Sequence, residues 1–296
     1  MRRFSAISCA MLLGCAASAV AAEGSLRAPE SVVNSGEFLF VSNLGAKVEP
    51  SVKDGDGYIA KLEPNGAMFE EQFLSGLNAP KGMVLQGKTL YVTDIDRLLA
   101  FDIASKQKTL DLDFSSTKTT FLNDIVALDD KTLAVTATDL HKIFIVRLGE
   151  MASFTELKLK QPVLGANGLA YDFLRKTLYV VGFGDGKPSG QLFKITLDND
   201  NQVLKQVRVG KLKGHLDGIA MLNPNEALVS DWVAFAPEKG RLLKVDLRNG
   251  KTTAVKDKLS GPADFIVTEG KVLLPEMLNN AFTLSTIIKV DKTADK

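Results

Sequence analysis

The chain has 296 residues, of which 45% are hydrophobic and 24% charged, with 36 Lys and Arg against 35 Asp and Glu. So even a balance leaves no electrostatic footprint for nucleic acid. No segment beyond the first twenty residues is apolar over the thickness of a bilayer, so no transmembrane span is expected.

The N-terminus reads as a leader. Met1-Arg-Arg-Phe4 is basic, Ala6 to Val20 is apolar, and Ala19-Val-Ala-Ala22 supplies small residues before Glu23. This is the pattern of a secretory signal peptide over residues 1–22, cut after Ala21 or Ala22. The expected destination is the periplasm or the exterior. Leu12-Leu-Gly-Cys15 also resembles a lipoprotein box, but Leu13 is large for its position, so lipid attachment at Cys15 is the lesser alternative. Cys9 and Cys15 are the only cysteines, and cleavage would leave residues 23–296 with neither disulfide nor thiolate ligand.

From there the chain repeats. Phe38–Ser42, Thr89–Thr93, Thr132–Thr136, Thr177–Val181, Ala227–Ser230 and Val272–Pro275 alternate as strands. Each is followed by another: Tyr58–Leu62, Arg97–Phe101, Lys142–Val146, Gln191–Thr196, Arg241–Val245 and Ser285–Val290. Ala67–Leu74 and Val203–Val209 read as fourth strands. Each repeat opens on an apolar run with a polar residue at its mouth: Glu30, Lys81, Asn123, Asn167, Asp217 and Asp264, spaced by 51, 42, 44, 50 and 47 residues. A period in the forties with four strands per repeat predicts an all-β, six-bladed β-propeller of antiparallel four-stranded blades, one domain over 23–296. The last repeat ends after its third strand, so residues 23–27 are expected to supply the missing outer strand. The connectors 46–57, 115–120 and 182–190 are expected at the rim of the pocket.

Equivalent positions in a propeller converge on the axis, so the six openers are expected to gather there. The ends of the second strands (Asn43, Asp94, Thr136 or Thr138, Gly182, Asp231, Glu276) are expected on the same face. Carboxylate and amide oxygens suit a hard divalent cation, calcium first, with magnesium, manganese or zinc as alternatives. His215, Asp231 and Trp232 are candidates for contact with a ligand, Trp232 as an aromatic platform. The glycine-rich stretch 182–190 lacks phosphate-loop spacing.

Pro-Glu-Ser-Val-Val, Phe-Leu-Asn-Asp, Ala-Asn-Gly-Leu-Ala-Tyr and Leu-Asp-Gly-Ile-Ala resemble the blade-opening motifs of the senescence-marker-protein/gluconolactonase superfamily. The whole chain looks closest to a periplasmic branch of it. The resemblance implies a six-bladed propeller with one divalent cation in its central channel. It further implies Glu30, Asn167 and Asp217 as ligands and Asn123 as a residue for substrate or cation. The lactonases of that family carry an arginine where this chain has Phe121, and the tryptophan that follows their first-blade Glu is absent. Lys81 and Asp264 are additions.

Two functions are therefore expected. One is an exported, metal-dependent hydrolase of a lactone or ester, with Asp217, or else Asp264, as general base, Lys81 on a developing oxyanion or a substrate carboxylate, and Asp264 and Asn123 against the substrate. The other is a non-catalytic propeller that binds a small ligand or a protein partner.

Overall fold

The computed structural model describes residues 26–286. The expected signal peptide 1–22, with Cys9 and Cys15, and residues 23–25 lie outside that span, as do residues 287–290 of the last expected third strand. The first strands are Pro29–Asn34, Pro80–Gln86, Leu122–Asp129, Ala166–Asp172, Leu216–Asn223 and Ile266–Thr268. Each pairs with its second strand, Leu39–Asn43, Thr89–Asp94, Thr132–Ala137, Thr177–Gly182, Glu226–Asp231 or Lys271–Glu276. Third strands follow at Gly57–Leu62, Arg97–Asp102, Lys142–Arg147, Leu192–Leu197, Gly240–Asp246 and Ala281–Thr286. Fourth strands at Met68–Leu77, Lys108–Asp113, Ser153–Glu156, Val203–Arg208 and Thr252–Leu259 complete five blades, all in sequential antiparallel order.

The expected six-bladed propeller is thus observed, with two local differences. The third strand of blade six begins at Ala281, four residues before the expected Ser285, because Glu276 pairs with Ala281 across a tight turn with Asn280 at positive φ. Blade six has three strands among the described residues. The ring nonetheless closes there: Asp264 N–H donates to Glu30 O at 3.0 Å, and Ala28 N–H to Asn280 Oδ1 at 2.8 Å. Leu26 is buried with Val41, Leu273 and Phe282 between blades one and six.

Burial of alternate side chains between neighbouring blades supplies the core. Phe40, Ile59 and Val92 fill one such seam, and Leu98, Phe114 and Phe144 the next. At the axis the first strands come so near one another that a Cβ on Gly168 would lie 2.2 Å from Asp217 O. Only glycine fits that approach.

A bulge recurs at the opening of the first strand in all five complete blades. Pro29 pairs with Asn43 but Val32 with Val41, so one extra residue sits in between. The same slip occurs between Pro80 and Met83, Leu122 and Ile125, Ala166 and Leu169, and Leu216 and Ile219. A bulge bends its strand and re-aims a side chain. Here it turns Glu30, Lys81, Asn123, Asn167 and Asp217 toward a common cavity. The bulged N–H groups find partners on the second strand: Ser31 N–H bonds Ser42 Oγ (2.9 Å), Asp124 N–H bonds Thr136 Oγ1 (2.9 Å), and Gly218 N–H bonds Ser230 Oγ (2.7 Å).

Candidate functional site

Five of the six openers line one cavity of about 210 Å³ at the axis. The sixth does not. Pro262 bridges Glu276 as Pro29 pairs with Asn43, which makes Ala263 the residue equivalent to Glu30. Asp264 is therefore one position further on, level with Ser31 and Asp124. It faces a separate cavity of about 860 Å³ and accepts a 2.8 Å hydrogen bond from Ser31 Oγ. The expected place of Asp264 among the openers is corrected by one residue. The Pro-x lead shared by Pro29-Glu30, Pro80-Lys81 and Pro262-Ala263 is the signal that shows it.

The five residues in the cavity are almost wholly buried. Four of them carry an oxygen with no hydrogen-bond partner: Glu30 Oε2, Asn123 Oδ1, Asn167 Oδ1 and Asp217 Oδ1. Buried polar atoms are nearly always paired, and each exception needs a reason. Asp217 Oδ2 is engaged, accepting from Trp232 Nε1 at 2.7 Å. Lys81 Nζ donates to Ala79 O at 2.9 Å and lies 4.9 Å from the centroid of the Phe121 ring.

The electrostatics follow from burial. Loss of water pushes Asp217 up to about 7, against the opposing Trp232 N–H and with help from the charge of Asp264. Glu30 rises well above the usual carboxylate range, first through burial and then through Asp217 and Asp264, with Lys81 opposing. Burial lowers Lys81 to about 8, partly offset by Glu30. In the second cavity burial lifts Asp264 to about 6 and Asp124 well above its ordinary value.

The donor set fits a hard cation. Two carboxylates and two amide oxygens are oxygen donors of the kind calcium, magnesium or manganese takes, and two negative charges match a divalent ion. Zinc, which favours nitrogen and sulfur, fits them least. Among the described residues no three His, Cys, Asp or Glu side chains are grouped to hold a metal. That follows from the quartet's make-up, since half of it is asparagine.

The remaining candidates divide. Trp232 lines the cavity; Asp231 and His215 are not among its lining residues. Asp231 is buried and fully engaged, accepting from His215 N–H (3.2 Å), Val233 N–H (3.1 Å) and Arg241 Nη2 (2.9 Å). It belongs to a repeated brace, in which the end of a second strand holds the backbone 16 residues earlier: Asn43 on Arg27, Asp94 on Asn78, Asp231 on His215 and Glu276 on Ser260. These acceptors share the expected face but serve the loops between blades. His215 Nδ1 is 2.9 Å from Phe183 O, and its ring lies against Phe183 and Phe235 behind the cavity wall.

The walls are what the sequence did not reveal. Leu44, Val48, Pro50, Phe121, Phe183 and Phe235 surround the polar floor. Of the expected rim loops, 46–57 and 182–190 contribute, whereas residues 115–120 do not. Phe235 stands on the connector after the second strand of blade five, where a 67% exposed phenylalanine is itself a signal.

No protein-family model matches the chain, and no curated protein matches it. Solved structures match at the level of fold. The luciferin-regenerating enzyme is 14% identical, with a TM-score of 0.62 over 94% of this chain and 90% of that one. A catalytically inactive virginiamycin B lyase from Staphylococcus aureus, with quinupristin, is 14% identical, with a TM-score of 0.59 over 92% and 99%. A chain of a nidogen/laminin complex is 11% identical, with a TM-score of 0.59 over 88% of each. Identities this low define the propeller alone, a scaffold on which enzymes and binding modules both occur. No helix among the described residues is long and apolar enough to cross a membrane.

Proposed function

We propose that this chain is an exported hydrolase of a lactone or ester that depends on a divalent cation, calcium before magnesium or manganese, in the central channel. It would act in the periplasm or outside the cell, as a periplasmic member of the superfamily its motifs resemble. The observation that carries this reading is the set of four orphaned oxygens from four different blades, all lining one cavity. Glu30, Asn167 and Asp217 would hold the cation, with Asn123 beside them. Such an ion, when bound, polarises a carbonyl and acidifies water.

The chain's own groups supply the rest. Lys81 uses one donor on Ala79 O and keeps two, so below about pH 8 its ammonium is available to a developing oxyanion. In the hydrolysis, water oxygen bonds to the acyl carbon and the acyl C–O bond breaks. One proton goes to the leaving alkoxide and the other to solvent as the product acid ionises. Asp217 has a single free oxygen, Oδ1, because Oδ2 accepts from Trp232. That oxygen serves either the ion or a proton at any one moment, so we assign Asp217 to the ion first.

Elemental analysis and calorimetry should find about one divalent ion per chain, lost in Asp217→Ala. Unchanged metal binding in that variant would overturn the site. A second reading, a propeller that binds a ligand or protein partner without catalysis, is favoured by Phe121 standing where the related lactonases have arginine. No metal-stimulated turnover across a panel of lactones and esters would select it.

A further inference from the structure

We infer that the cavity selects a carbonyl compound with one aromatic ring, an aryl-bearing ester or lactone or the acid it yields, over a polyhydroxylated sugar lactone. The reaction named here rests on the hydrolase reading above; the ligand class rests on the cavity walls.

The wall side chains have no hydrogen-bond donor left for a polyol, and Thr138 Oγ1 keeps acceptor capacity only. Trp232 Nε1 is committed to Asp217 Oδ2 at 2.7 Å, and Thr138 Oγ1 to Ala166 O at 2.8 Å. The imidazole behind them is held on Phe183 O. A sugar hydroxyl held against the walls, away from the floor, would leave water and find no donor in exchange, which is how a site disfavours a polar ligand body. All the free polar groups are on the floor, in Glu30, Lys81, Asn123, Asn167 and Asp217. A ligand that satisfies both regions has one polar end and an apolar body.

Shape and size narrow the body to one ring. Phe183, Trp232 and Phe235 form a triangle, with centroids 5.9 Å apart for Phe183–Trp232, 5.7 Å for Phe183–Phe235 and 5.3 Å for Trp232–Phe235. Their tilted planes present edges and faces of the kind that aromatic pairs prefer. Phe121 lines the same cavity. About 210 Å³ is somewhat more than an apolar cavity of ~150 Å³ that accepts benzene, so one ring with a short carbonyl arm fills it. Val48 and Pro50 continue the apolar surface to the rim on a loop fastened by Lys53 to Asp96 at 2.6 Å.

Trp232 is the only tryptophan in the chain, so its fluorescence reports the cavity directly. The test uses the protein with calcium present and two unreactive acids, 3-phenylpropionate and gluconate, followed by calorimetry and tryptophan emission. Turnover of dihydrocoumarin and glucono-δ-lactone is measured alongside. We expect 3-phenylpropionate to bind at least about tenfold more tightly than gluconate and to shift Trp232 emission. Phe235→Ala, at a largely exposed position that leaves the fold intact, should weaken the aromatic acid about fivefold and leave gluconate unchanged. Equal or tighter gluconate binding, no binding of either acid, or indifference to Phe235→Ala overturns the inference. Binding of the aromatic acid without turnover of dihydrocoumarin or of any other lactone or ester in the panel retains the ligand class and removes the hydrolase reading. Turnover of gluconolactone without aromatic binding does the reverse.

Discussion

Trp232 Nε1 donates a 2.7 Å hydrogen bond to Asp217 Oδ2, which ties the aromatic wall of the cavity to its ionic floor. The two residues flank the open end of one hairpin, where Leu216 pairs with Asp231, and the bond leaves Asp217 a single oxygen, Oδ1, to offer. A partner that fixes a ligating carboxylate in this way commonly sets metal affinity. Trp232→Phe keeps the ring and removes the donor. Calorimetry should find the divalent cation bound about tenfold more weakly in this variant, with an unchanged stoichiometry. An unchanged affinity would make the hydrogen bond a packing detail.

The buried carboxylates give the protein a pH signature when the cation is chelated. Asp217, raised to about 7, and Asp264, raised to about 6, keep their protons in the folded chain where the unfolded chain has lost them. Their contribution to stability is full below about pH 4, the unfolded value, and is lost as pH rises through 6 to 7. In chelator, therefore, Tm should fall on going from pH 5 to pH 8 by on the order of 10 °C. Calcium at about a hundredfold its Kd should restore roughly 2.7 kcal/mol at pH 8. A chelated protein with Tm rising or flat over this range would contradict the burial of these groups as free acids.

Lys81 is a buried cation among cation-seeking oxygens, and its removal separates stability from activity. Its ammonium, 1% exposed, lies over the Phe121 ring and has one bonded acceptor. Lys81→Met conserves the stem and discards the charge. The variant should bind the divalent ion at least as tightly as the parent, because a neighbouring positive charge is gone. Its kcat on any hydrolysed ester should fall about 10²-fold, the usual cost of an oxyanion donor. In the parent, kcat should decline above about pH 8 as the ammonium is lost. Full activity in Lys81→Met would assign the lysine a structural role.

The architecture was legible because the six openers and their following strands recur at a period that a propeller requires. Glu30, Lys81, Asn123, Asn167 and Asp217 came together as their spacing implied. Asp264 did not, because an Ala-Asp-Phe-Ile-Val pattern resembles the other openings while hydrogen bonding sets the register, and the Pro262–Glu276 bridge places Ala263 at the equivalent point. Asp231 was misplaced for a related reason: alternation puts it on the correct face, but its carboxylate turns to the His215 N–H and to Arg241. Phe183 and Phe235 were missed because they stand on connectors without periodicity. The bulge at the head of the first strand leaves no mark in composition, except through the hydroxyls beneath it in blades one, two, three and five.

Those hydroxyls carry a prediction of their own. Ser230 Oγ accepts from Gly218 N–H at 2.7 Å and donates to Ala263 O at 3.0 Å, so one side chain stitches the bulge of blade five to blade six. Ser42 and Thr136 accept the equivalent N–H in blades one and three, and Thr93 of blade two donates its proton to Asn123 O of blade three. Ser230 is fully buried, and no water can replace it without new space. Ser230→Ala leaves Gly218 N–H unpaired and should cost about 1–3 kcal/mol in denaturant unfolding. Because the bulge aims Asp217, cation affinity should weaken in the same variant, whereas Ser105→Ala, at an exposed turn, should alter neither. A loss of stability with cation binding intact would mean that the bulge holds its shape without the hydroxyl, and that the aim of Asp217 is set by Trp232 alone.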